Sequence, residues 1–111
     1  MKRDFYKLKY RVLEKFYDVL YEENYKYGQA ADRTYYEFHQ SVSSKGIEHV
    51  IVVVTVVTRL LKHKAVSEYH LNYIKEAINI FNNIDIKSEL SEDEYEVLCE
   101  EITDLKIELN I

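Results

Sequence analysis

The stretch Ile47–His63, IEHVIVVVTVVTRLLKH, limits what this chain can fold into more than any other feature. Six of its residues are valine, so β-propensity alone favours a strand. The pattern favours a helix. A half-buried strand alternates, whereas Val50, Ile51, Val52, Val53 and Val54 run on without alternation. The polar residues Glu48, Thr55, Arg59 and Lys62, with Val52 filling the gap, are spaced 4, 3, 4, 3. That spacing is one narrow stripe of a helix with every other face apolar. Such a helix belongs at the centre of a bundle, with only the stripe wet. The rival reading is a fully buried parallel strand, but the run is long for a strand and no βαβ pattern surrounds it.

The segment is too short for a membrane span, which needs about 20 apolar residues, and Arg59 and Lys62 close it. The N-terminal MKRDFYKLKYR has no apolar core of the kind a signal peptide carries. The single cysteine, Cys99, fits a reducing compartment. Together these features lead to the expectation of a cytoplasmic protein. A length of 111 residues leads to the expectation of one domain over residues 1–111. Proline is absent and glycine occurs only at Gly28 and Gly46. Few β-rich folds manage without those breakers. The fold class expected is therefore all-α: a single-domain antiparallel bundle of about five helices around the central helix 47–63.

Taken in order, helix one is expected from about Asp4 to Asn24. Phe5, Leu8, Val12, Phe16 and Val19 form one apolar stripe, and Tyr6, Tyr10, Leu13, Tyr17 and Tyr21 form a second beside it. These tyrosines either cover the core with their hydroxyls in water or belong to a binding surface. Eleven tyrosines is a large number for this length, and interfaces favour the residue. Tyr25–Gly28 reads as a turn, with Gly28 free to adopt positive φ. Helix two follows from Gln29 to Ser43, with Ala31, Tyr35, Phe38 and Val42 facing inward. Ser43–Gly46 breaks it, so the glycines fall at both early reversals. After the central helix, Ser67 is a plausible N-cap for helix four, which runs to about Asn82 with Leu71, Ile74, Ile78 and Phe81 inward. Ile84, Ile86 and Leu90 are expected to tuck an irregular connection against the bundle. Ser91 and Glu94 read as a capping box opening helix five, followed by the inner stripe Tyr95, Leu98, Ile102, Leu105 and Leu109.

The residues offer little chemistry. His39, His49, His63 and His70 show no metal-ligand spacing, and one cysteine cannot supply a zinc pair. His63 and His70 flank a helix junction and read as solvent-exposed helix-end residues, with a small enzyme site there as the sharper alternative. Cys99 reads as a packing residue, because an acidic neighbourhood disfavours thiolate chemistry. No phosphate-binding glycine loop is present. The expectation is a non-enzyme with no metal and no cofactor.

Charge is distributed unevenly. Residues 1–45 carry nine Lys/Arg against seven Asp/Glu, and residues 46–111 carry six against thirteen. Residues 88–111 hold nine acids against Lys106. An acidic end disfavours nucleic acid and anionic membrane and favours a basic protein partner. Glu92, Glu96 and Glu100 repeat every four residues, flanked by Asp93 and Asp104, while Glu94, Glu101 and Glu108 make a second edge. This is either a solvated face or a docking face. The candidate partner-binding residues are Glu92, Asp93, Glu96, Glu100 and Asp104, with Tyr17 and Tyr21 as apolar anchors. A monomer or weak dimer is expected.

Three stretches carry a resemblance: TYYEFHQ at Thr34–Gln40, the central helix, and SELSEDEYEVL at Ser88–Leu98. A small, proline-free, tyrosine-rich acidic chain with these patterns resembles the immunity proteins of bacterial polymorphic and contact-dependent toxin systems, immunity family three in particular. The resemblance implies that the chain binds one cognate toxin domain, often a nuclease, and blocks it stoichiometrically without turnover. It transfers no catalytic or binding residue. A helical adaptor or oligomerisation module is the alternative.

Overall fold

The computed structural model describes residues 5–22, 26–41, 46–83, 85 and 89–111, with side chains at 39–41 left aside. Five α-helices account for almost all of them: α1 Phe5–Glu22, α2 Tyr27–Ser41, α3 Ile47–Lys62, α4 Glu68–Asn83 and α5 Glu92–Leu109. No strand occurs among the described residues. The expected all-α class is observed, and the valine run is helical.

α3 is the core. Val50, Ile51, Val53, Val54, Val56, Val57 and Leu60 are fully buried, on every side of the helix. Each buried valine or leucine contributes about 1.5–3 kcal/mol relative to leaving it exposed. That gain outweighs the helix reluctance of β-branched residues, at most about 0.7 kcal/mol each. The other helices each lay one stripe on it: Phe5, Val12, Phe16 and Val19 from α1; Ala31, Tyr35 and Phe38 from α2; Ile74, Ala77 and Ile78 from α4; Leu98, Ile102 and Leu105 from α5. Leu90 tucks in before α5 as expected. Val42, Ile84 and Ile86 lie outside the described residues.

Specific contacts fix the directions. Arg11 sits over the Phe38 ring and Phe16 stacks on Tyr27, so α1 and α2 are antiparallel. Lys9 bonds to Thr55, and Tyr17 to His63, so α1 and α3 run parallel. His70 approaches Asp32 and Tyr73 stacks on Tyr35, so α4 runs parallel to α2.

The polar stripe of α3 departs from expectation. Only Lys62 is exposed. Glu48 and Arg59 are half-buried, and Val52 and Thr55 are buried at 1% and 3% exposure. The stripe is not a wet edge, because Lys9 reaches over from α1 and places its amine on the Thr55 hydroxyl at 3.1 Å.

Helix ends follow mostly local chemistry. The capping box before α5 is complete: Glu94 N–H donates to Ser91 Oγ at 3.2 Å, and Ser91 N–H donates to Glu94 Oε1 at 2.8 Å. At the end of α3, Ala65 N–H bonds to Leu60 O and Lys64 N–H to Leu61 O, a Schellman closure. It holds Lys64 at φ 56°, where glycine is the usual residue. The two glycines are used otherwise. Gly46 is the N-cap of α3 in extended conformation. Gly28 was expected in a turn but lies inside the first turn of α2, without positive φ. The helix starts earlier because Gln29 Oε1 accepts the Lys26 N–H, and Lys26 O accepts the Ala30 N–H.

A Cβ on Gly28 would meet only the His70 Cε1 atom, at an ordinary contact distance of 3.6 Å. Gly28→Ala is therefore expected to stabilise the protein by about 0.5–1 kcal/mol, through reduced freedom of the unfolded chain. Urea denaturation measures this; a loss of stability would show that the α2–α4 approach has no room for a methyl group.

Candidate functional site

The five carboxylates expected to bind a partner, Glu92, Asp93, Glu96, Glu100 and Asp104, are all exposed along α5. The two acids of the second edge nearest them serve the fold. Glu94 closes the capping box. Glu101, half-buried, receives the Lys9 amine at 2.8 Å on each oxygen. Lys9 and Glu101 side chains keep only 17% and 21% exposure, and the Lys9 amine also lies 5.5 Å from the Phe5 ring centroid. One cation thereby ties α1, α3 and α5 together. α1 and α5 both pack on α3, yet they are not among the closely packed helix pairs. Lys9–Glu101 spans the seam between them.

The tyrosines divide into two groups. Tyr6, Tyr10, Tyr21, Tyr36 and Tyr69 are more than half exposed. Tyr17 is held inside a ring cluster. Its hydroxyl bonds to His63 Nε2 at 2.9 Å, its ring stacks on Tyr21, and Arg59 lies over it at 5.8 Å. Tyr27 stacks on His63 at 4.4 Å. Of the two anchors expected from sequence, Tyr21 stands out at 76% exposure, whereas Tyr17 supports it from beneath.

Both helix-junction histidines were expected to be solvent-exposed, and neither is. His63 is half-buried in the cluster just described. His70 is 3% exposed, and it acts as the N3 residue of α4: its Nδ1 pairs with Ser67 Oγ at 2.8 Å, and its Nε2 faces Asp32 Oδ1 at 3.4 Å. The two histidines thus belong to different partner sets, and the contacts of each tie helices together. Around His70, burial pushes the Tyr35 phenol well above its usual range, with the Asp32 charge adding to it. A hydrogen bond to Tyr69 pushes Tyr73 up to about 12, reinforced by burial. Both rings therefore stay neutral through the physiological range and serve packing.

Two clefts open among the described residues. One of about 360 Å³ between α1 and α2 is lined by charges of both signs, Arg11, Glu14, Lys15, Asp18 and Glu37, beside Phe38. The other, about 350 Å³, lies at the start of α5 among Leu90, Ser91, Glu92, Tyr95 and Glu96. No group of three or more metal-ligating side chains occurs among the described residues. No described helix is long and apolar enough to cross a membrane. Cys99 is half-buried as a free thiol.

The family profile described as "Immunity protein Imm3" matches residues 2–111, essentially the whole chain. The chain belongs to the Imm3 family. An Imm3 protein is an immunity protein, and immunity implies a cognate toxin to be neutralised. No curated protein and no solved structure matches the chain. Within this Imm3 protein, the exposed carboxylates were legible from the capping box and the inner stripe of α5. Tyr6 and Tyr10 were legible only as an aromatic edge; nothing in the sequence separated them from Tyr17, whose partner His63 is 46 positions away.

Lys9 is the residue whose loss the geometry makes costly. Lys9→Met is expected to lower stability by about 1–3 kcal/mol, since it strips Thr55 and Glu101 of their charged partner in a half-buried seam. Pairing it with Glu101→Gln should restore part of that loss. Denaturant melts of the three variants measure both effects; a single variant as stable as the parent would mean that the bridge holds nothing.

Proposed function

We propose that this chain neutralises a bacterial toxin domain in the cytoplasm of the producing cell, by stoichiometric binding through the acidic outer face of α5. The observation that carries the reading is the combination of family membership with five carboxylates displayed in water on a well-capped helix. Like charges four residues apart on a helix repel by a few tenths of a kcal/mol per pair. In this reading that cost is offset on binding a basic surface, such as the substrate cleft of a nuclease or a site beside it. The summed field of residues 88–111 steers encounter with a basic partner. Tyr21, resting on Tyr17, supplies an apolar anchor at the end of α1. Inhibition of this kind uses no turnover, no metal and no cofactor.

Charges at an interface rim act chiefly on association, and salt screens them over about 10 Å at 0.1 M. Reversing Glu96 and Glu100 to Lys should therefore slow association with the cognate toxin domain, most strongly at low salt. Folding should be intact, because neither side chain faces the core. Association rates at two ionic strengths decide the matter; an unchanged low-salt rate would make α5 a solvated face and move the binding surface elsewhere.

A further inference from the structure

The exposed tyrosines are not equivalent. Tyr36 already carries the Arg33 guanidinium over its ring at 5.8 Å. Tyr69 gives its hydroxyl and its ring edge to Tyr73. Tyr6, edge to face with its neighbour Phe5 at 5.0 Å, and Tyr10 are 54% and 68% exposed on α1. Their position on that helix follows from its contacts. One flank of α1 faces α2, through Arg11 on Phe38 and Lys15 near Glu37. The opposite flank faces α5, through Lys9 and Glu101. Tyr6, three residues before Lys9, and Tyr10, four beyond Tyr6, lie on the outer side of that α5 flank.

The facing wall follows in the same way. Counting from Glu101 along α5, Asp104 and Glu108 share its side of the helix, and Glu100 lies just outward. All three are exposed. Lys9 and Glu101 form the floor and neutralise each other at 2.8 Å. The result is an open seam with aromatic rings on one wall, carboxylates on the other and no net charge beneath.

We infer that this α1–α5 seam binds an arginine-bearing segment of a partner protein, with Tyr6 and Tyr10 under the guanidinium and Glu100 and Asp104 opposite. The inference rests on the toxin-binding reading above and gives the partner its chemistry. A planar guanidinium stacks on an aromatic ring and pairs with a carboxylate at once, which an ammonium does less well. A second copy of this chain is a poorer occupant, because the seam would meet its own carboxylates.

The test is a titration of the isotope-labelled full chain with a capped peptide of alternating arginine and glycine, followed by NMR. The control is the same peptide with neutral citrulline for arginine. The arginine peptide should shift the ring and backbone signals of Tyr6 and Tyr10 together with Glu100–Asp104, and leave Tyr36 and Tyr69 in place. Tyr6→Leu with Tyr10→Leu should weaken it about tenfold, whereas Tyr36→Leu should have no effect. Both tyrosines are exposed, so the double variant should keep its spectrum elsewhere. Shifts confined to α5 would overturn the tyrosine wall while leaving the acidic face as the docking site. Equal shifts with citrulline, no shifts at all, or concentration-dependent shifts of the protein alone would also overturn it. Toxin association rates measured separately on the Glu96/Glu100 reversal report on the parent reading, so the two failures are distinguishable.

Discussion

The Lys9 amine holds the seam on which this architecture turns. It donates to Thr55 on α3 and to both oxygens of Glu101 on α5, while its own helix is anchored by Phe5, Val12, Phe16 and Val19. Without that cation, α3 would present a hydroxyl and α5 a carboxylate to a half-buried seam, and each would have to find water. With it, a helix that is apolar on nearly every side can be closed over along its one polar stripe. The consequence reaches the surface. The first and last helices lie side by side on α3, so an aromatic edge and an acidic edge far apart in sequence border one seam.

A second set of side chains links the helices across the chain's reversals. Without proline, and with glycine at only two positions, the chain uses paired rings. His63 is clasped by the Tyr17 hydroxyl and the Tyr27 ring, joining the ends of α1 and α3 to the start of α2. His70 joins Ser67 at the start of α4 to Asp32 of α2, with Tyr35 and Tyr73 stacked beside it. Several tyrosines therefore do structural work, and the surface left for a partner is narrower than the composition suggests.

The central helix, the five-helix order and the capped start of α5 were legible because each rests on local pattern: a polar stripe at helical spacing, apolar faces, and Ser91 three residues before Glu94. What was not legible depended on partners distant in sequence. Thr55 is polar, so pattern alone places it in water; its burial requires Lys9, 46 positions away. Glu101 looks like its acidic neighbours, and only the fold separates it from Glu100. His70 did carry a local signal, since a residue three after a Ser N-cap can reach back to that serine, but its burial comes with neighbours on another helix, Asp32 and Tyr35 of α2. Gly28 was read as a breaker, although the first turn of a helix tolerates glycine and Gln29 supplies the cap. Of the candidate site, exposure of the five carboxylates followed from the inner stripe of α5. The Lys9–Glu101 bridge that brings α1 and α5 to one seam did not.

The central claim is that the immunity partner docks on the outer faces of α1 and α5. Amide hydrogen exchange of the chain, alone and saturated with its cognate toxin domain, tests this most directly. The account predicts added protection in α5 and in the Tyr6–Tyr21 flank of α1, with α2 and α4 unchanged. Protection confined to α2 and α4, with α1 and α5 exchanging as in the free protein, would contradict it.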